Sequence, residues 1–253
     1  FELYGLYIRN FHNANYSTSG LDIEASDVII GKPGKGNIMT GNRHGILVKA
    51  HRSLGVTIQS NYVGVTPDGL TLDGNFRNGI YIAPYSGSIG GTFIIGGSRA
   101  LGEGNLIGGS GWANLAIRAR VIVQGNDIGT DAAQTLNWGN GWNVTPGFDL
   151  NNLSLGRYTN SSLIGGDSPD VGNIIGHGRA SGILVNLSRN VTIKNNTLVR
   201  NDLAGSYAIH LHTTDSITMS HNSFYCNRVG IYFSNAMAYR SIHFYWYYYV
   251  YDA

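Results

Sequence analysis

The chain has 253 residues, 42% of them apolar and 13% charged, with a formal net charge of +2. That is enough apolar content for one large core and too little charge for a disordered chain, a basic nucleic-acid surface or a polybasic membrane anchor. The 36 glycines, together with frequent Asn, Ser and Thr, fit an all-β chain built from many turns. Cys226 is the single cysteine, which excludes an intrachain disulfide framework and a cysteine-rich metal site. No apolar run reaches the ~18 residues of a membrane span, and no cofactor is expected.

Taken in chain order, the sequence opens almost inside a strand, FELYGLYIRNF, and then repeats itself. A short run beginning with glycine or another small residue recurs as GLDI (Gly20), GILV (Gly45), GIYI (Gly79), NLAI (Asn114), GFDL (Gly147), GILV (Gly182), AIHL (Ala208) and GIYF (Gly230). Each run is four or five residues long, alternates inward apolar with outward positions and is bounded by turn formers, the pattern of a half-buried strand. A second strand follows in each unit, with Ile30, Ile58, Ile95, Val123, Ile164, Ile193, Met219 and Phe244 at corresponding places. A larger phrase carries these strands. VIIGKPGKGNIMTGN from Val28, FIIGGSRALGEGNLIGG from Phe93 and LIGGDSPDVGNIIGHG from Leu163 are three versions of it.

After the second strand comes an asparagine: Asn37, Asn61, Asn105, Asn126, Asn173, Asn196 and Asn222, each followed by a short apolar pair. One asparagine at the same turn of every unit can pass amide hydrogen bonds from unit to unit, and it tolerates the left-handed backbone of a sharp turn. The phrases NYVGVTPDG, GNDIGTDA and IIGG resemble the repeats of right-handed parallel β-helix proteins of the pectate-lyase-like superfamily, over roughly residues 3 to 235. That resemblance implies an all-β solenoid of about nine coils with an internal asparagine ladder. At a strand spacing of ~4.8 Å the rod would be on the order of 40 Å long. It does not imply an activity, because such folds carry lyases, hydrolases, epimerases and adhesins.

Candidate chemistry is sparse. GHG around His177 is the tripeptide that polygalacturonases place at their catalytic histidine, but laying GNIIGHGRASGILV on GNLIGGSGWANLAI puts His177 on Gly109, a turn glycine. Glycoside hydrolysis needs paired carboxylates, and the only catalytic candidates are Asp149, His177 and His210. His210 and His212, two apart on one strand, are the best metal-like pair, but no third ligand is evident. Calcium at the acidic loops is disfavoured, because Asp131 aligns with Thr66 and Asp167 with Lys32 between the chain's own repeats. Tyr81, Trp142 and Tyr232 are the exposed aromatics suited to a glycan.

Residues 1–235 read as the β-helix and residues 236–253 as a separate aromatic segment serving as last coil, cap or interface. Seven aromatics stand between Phe244 and Tyr251, too many for one face of a strand with period two. Self-association through this segment is expected. The reading that results is a secreted or cell-surface, non-catalytic structural or adhesive β-helix, with a glycan as possible ligand. The alternatives are a polyuronide lyase or glycoside hydrolase, or a glycan-binding module.

Overall fold

A computed structural model describes residues 1–12, 18–49, 55–83, 91–141 and 150–235, and the backbone of 242–250. The chain is a right-handed parallel β-helix. Every pairing between its named strands is parallel, and three strands occur in each turn of the coil. The first sheet stacks Ser19–Ile23, His44–Val48, Ile80–Ile82, Leu115–Ile117, Asn151–Leu155, Ser181–Asn186, Tyr207–His212 and Ile231–Ser234. The second stacks the Ile30-type strands, from Glu2–Leu3 through Thr192–Lys194, and the third stacks the apolar pairs that follow the ladder asparagines. The second and third sheets merge where the single strand Ile217–Tyr225 crosses the corner between them.

Register follows the alternation of the sequence. Ile30, Ile58, Ile95, Val123, Ile164, Ile193, Met219 and Phe244 pair in one unbroken row. Ile46, Ile80, Ile183 and Ile209 point inward and are wholly buried, as are Ile58 and Ile193 on the facing sheet. These aliphatic stacks form one continuous core running the length of the rod. A side chain there leaves water on every side, which stabilises by roughly 1.5–3 kcal/mol for each Val, Leu or Ile.

One expected strand is corrected. The row place expected for GFDL, the run containing Asp149, belongs to the run that follows it. Asn151–Leu155 takes that place, with Leu153 and Leu155 buried between Leu115 and Ile117 on one side and Ile183 and Val185 on the other. Ser154 therefore occupies the outward position between Ala116 and Leu184 that a GFDL strand would have given to Asp149. The NNLSL run satisfies the inward alternation, and that outweighed the initial glycine. Asp149 and Trp142 lie outside the described residues.

The aromatic segment begins as a further coil. Ile242–Val250 pairs in parallel with Ile217–Tyr225, extending both the second and third sheets. The side chains of this strand lie outside the described residues, and with them the expected association through the rings.

Candidate functional site

Hydrogen bonding along the corners explains why most chemistry-bearing residue types in this chain are structural. The seven ladder asparagines form one series. Nδ2 of Asn37 donates to Oδ1 of Asn61 (3.0 Å), and the pattern continues through Asn105, Asn126, Asn173 and Asn196 to Asn222 at 2.8–3.0 Å. From Asn61 onward each Oδ1 also accepts from the backbone N–H of the preceding ladder residue; the Asn105 N–H, for example, donates to Asn126 Oδ1. Gly31, Gly96 and Gly165, the glycines of the repeated phrase, have φ near +80°. A Cβ at Gly96 would press into the Gln124 carbonyl oxygen and the Asn126 amide, so the ladder itself requires glycine there.

A second, less regular series was missed in the sequence. Asn42 donates its N–H to Asn75 Oδ1 (3.1 Å), Asn114 Nδ2 donates to Asn152 Oδ1 (2.8 Å), and Asn201 Nδ2 donates to Asn227 Oδ1 (2.9 Å). Asn42, Asn201 and Asn227 each stand five residues after a ladder asparagine. Loops inserted after Val63 and Ile128 displace the intervening copies, which hides the period.

His177 is a corner residue. Its φ of +58° matches Gly41 (+59°), Gly109 (+63°), Arg200 (+50°) and Cys226 (+49°) at the same turn of other coils. His221 (φ +55°) holds the other corner, the place of Gly125 and Asn195 just before a ladder asparagine. Burial pushes the His177 imidazole below its ordinary pKa, with Asp202 acting in the opposite sense and Arg200 in the same sense. Its cleft is shared with Arg179, Arg200 and Asp202, so it holds one carboxylate and not the pair that hydrolysis requires.

The acidic loops are also occupied. Asp131 accepts the backbone N–H groups of Thr135 and Leu136, both at 2.7 Å, and the Thr135 hydroxyl. Burial would raise its pKa, but these hydrogen bonds hold it below the usual carboxylate range. Asp167 pairs with Lys194 at 2.9 Å, and that partner holds its pKa down.

A cleft with a volume of about 710 Å³ lies on the outer side of the first sheet. Tyr81 and Ala116 form part of its floor, and its walls come from corners of different coils. Trp112 is held by its backbone N–H, which donates to the Arg77 carbonyl (2.8 Å), while its own carbonyl accepts from Asn140 Nδ2 (2.6 Å). The Arg77 guanidinium lies 4.4 Å from the centre of the Trp112 ring, and Arg118 lies 5.6 Å from that of Tyr81. Arg157 and Tyr158 project from a turn closed by the Thr159 and Ser188 hydroxyls, both of which donate to the Gly156 carbonyl (2.9 and 2.8 Å). Tyr158 has φ +73° and is 51% exposed, a conformation and exposure that the closed turn imposes. Among the described residues, no Asp or Glu lines this cleft.

Beneath the cleft sits His44, 4% exposed, with ring centres 5.6 Å from Tyr81 and 6.4 Å from Trp112. Its Nδ1 faces the Asn78 N–H at 3.4 Å. Burial first, then the charges of Arg77, Arg43 and Lys49, push its pKa down to about 3, so the ring is neutral at pH 7.

Of the expected ligand-binding aromatics, Tyr81 lies in the cleft and Tyr232 does not. Tyr232 is five strands further along the same row, about 24 Å away. It stacks instead on Tyr207, with ring centres 4.3 Å apart. Trp112, Arg157 and Tyr158 were missed because they come from corners and turns, where the strand period carries no information.

His210 and His212 lie on Tyr207–His212 beside Tyr232, with His210 Nε2 and His212 Nδ1 each 2.7 Å from Ser234 Oγ. Burial, then the neighbouring His212, lowers the His210 pKa. No cluster of three or more His, Cys, Asp or Glu suited to a metal occurs among the described residues. The best donor set is therefore this imidazole pair with its shared hydroxyl.

Residues 151–244 match the model of a family described as Periplasmic copper-binding protein (NosD). No curated protein matches the chain, and no solved structure does.

Proposed function

We propose that this chain is a non-catalytic, extracytoplasmic β-helix whose rod presents the first-sheet cleft to an acidic glycan. The observation that carries this reading is the lining of the cleft: the rings of Tyr81, Trp112 and Tyr158 set beside the guanidinium groups of Arg118 and Arg157, with no carboxylate among the described lining residues. Aromatic faces suit the apolar faces of sugar rings, and guanidinium groups bind carboxylates in a planar, bidentate manner. Among the described residues, the same lining offers no carboxylate pair of the kind a glycoside hydrolase uses. The description of the matched family as periplasmic supports a place beyond the cytoplasmic membrane.

Calorimetry with an oligogalacturonate and with a neutral oligosaccharide of equal length tests this reading, with reducing ends and unsaturated products followed in parallel. The expected outcome is selective binding of the acidic oligomer, weakened by salt and by Arg118→Ala or Arg157→Ala, with no product formed. Equal indifference to both oligomers would refute the glycan reading, and turnover would select the enzyme reading.

A second reading, copper binding, is favoured by one specific observation. The matched residues include His210, His212 and Ser234, a donor set of two imidazoles and a hydroxyl that suits an open Cu²⁺ site.

A further inference from the structure

The corner that carries His177 gathers four polar side chains that neither reading above uses. The Gly178 N–H donates to Asn201 Oδ1 (2.8 Å), and Asn201 is wholly buried, so the second asparagine series pins two successive coils together here. The residues flanking this pair therefore face outward: half-buried His177 and exposed Arg179 from one coil, exposed Arg200 and Asp202 from the next. His177 and Arg200 take the same left-handed corner position, with φ of +58° and +50°, about one strand spacing (~4.8 Å) apart. On the coil before them the corner is bare. A Cβ at Gly139 would press into the His177 carbonyl oxygen, and one at Gly141 would press into the Arg179 side chain, so glycine at both places leaves room for these two residues.

All four side chains line one cleft of about 160 Å³. That is roughly half the ~300 Å³ at which pockets for drug-sized ligands begin, so it suits a ligand of a few heavy atoms and not an oligomer. Among the described residues, no ion pair or side-chain hydrogen bond engages any of the four head groups, and Asp202 is paired with neither arginine. Burial holds the His177 imidazole below its ordinary pKa, which makes it neutral at pH 7. Two guanidinium groups and one carboxylate then leave the cleft one positive charge, which a monoanion balances and a dianion exceeds. Guanidinium groups suit a carboxylate, while Asp202 can only accept and so demands an O–H from the ligand. Leu203, exposed at the rim, suits a short alkyl group.

We propose that this corner cleft binds a small 2-hydroxy monocarboxylate, its carboxylate held by Arg179 and Arg200 and its hydroxyl set between Asp202 and the His177 ring. The hydroxyl belongs on the carbon next to the carboxylate because the four head groups stand on adjacent coils, about one strand spacing apart. The site shares no residue with the first-sheet cleft or with the histidine pair, and is independent of both readings above.

The test is titration of the full chain at neutral pH with L-lactate and with propionate, which differs only in lacking the hydroxyl. Calorimetry gives the affinities, and nuclear magnetic resonance of the His177 ring protons gives the location. Lactate should bind saturably at one site and about tenfold or more tighter than propionate, because without the hydroxyl Asp202 faces the ligand with no donor. Asp202→Ala should weaken lactate and strengthen propionate, since it removes both the acceptor and a like charge. Arg179→Gln and Arg200→Gln should each weaken both ligands about tenfold. His177→Gly should weaken lactate severalfold with an unaltered melting temperature, because Gly41 and Gly109 already hold the same left-handed corner in other coils. Arg118→Ala, in the first-sheet cleft, should leave lactate binding unchanged. No saturable shift of the His177 ring, equal affinity for propionate, or tighter binding of sulfate overturns the assignment.

Discussion

Replacing Asn126 by Leu removes one rung from the middle of the ladder, and the structure states what is lost. The Asn126 amide donates to Asn173 Oδ1 (3.0 Å), to the Ile95 carbonyl (2.9 Å) and to the Gln124 carbonyl (2.8 Å). It accepts from Asn105 N–H and Nδ2 at 3.0 and 2.8 Å. Some partners have alternatives: Asn173 Oδ1 keeps the Asn126 backbone N–H, and the Gln124 carbonyl keeps the Gly97 N–H. The Asn105 N–H does not, and Asn105 is only 2% exposed. One orphaned buried donor costs about 1–3 kcal/mol, and the weakened Asn105 amide and Ile95 carbonyl bring the total to about 2–4 kcal/mol. In a chain of this size that corresponds to a fall in Tm of roughly 4–16 °C. Urea denaturation followed by circular dichroism measures it, with Asn160→Leu, which removes a single exposed hydrogen bond from the Arg189 N–H, as the comparison. If Asn126→Leu costs no more than that surface change, within about 0.5 kcal/mol, the ladder is turn chemistry and does not hold the coils together.

Two further outcomes are expected. His44 is held neutral with a pKa of about 3 against 6.5 for the free side chain, so the unfolded chain binds the extra proton between these values and stability falls as pH drops through that window. The loss between pH 8 and pH 5 should be about 2 kcal/mol. It should shrink in His44→Gln, and equal urea midpoints at the two pH values in the parent chain would show that the ring is not held neutral. Ile183→Asp places an unpaired carboxylate in a wholly buried position and should prevent folding, whereas Asp at the half-buried outward Thr192 should be tolerated. A normal melting curve for Ile183→Asp would mean that the register of the first sheet is wrong.

The alternation of side chains and the recurrence of asparagine were enough, in the sequence alone, to establish the coil, the inward Ile30 and Ile46 rows and the seven-membered ladder. Both are properties of local spacing: a strand alternates faces with period two, and a corner that needs positive φ selects Gly or Asn at the same place in every coil. The same reasoning explained His177, because its alignment with Gly109 exposes a shared corner. Where loops change the spacing, the information disappears. The strand assigned to GFDL belonged to NNLSL, and the second asparagine series was concealed by the inserted loops around Asp68 and Asp131. The cleft required the tertiary structure. Tyr81, Trp112 and Tyr158 are far apart in the chain and come together only because successive coils stack at strand spacing and two corners lean over one sheet. His210, His212 and Ser234 meet for the same reason: their convergence depends on which outward positions the parallel register places side by side, and no spacing within one coil encodes that.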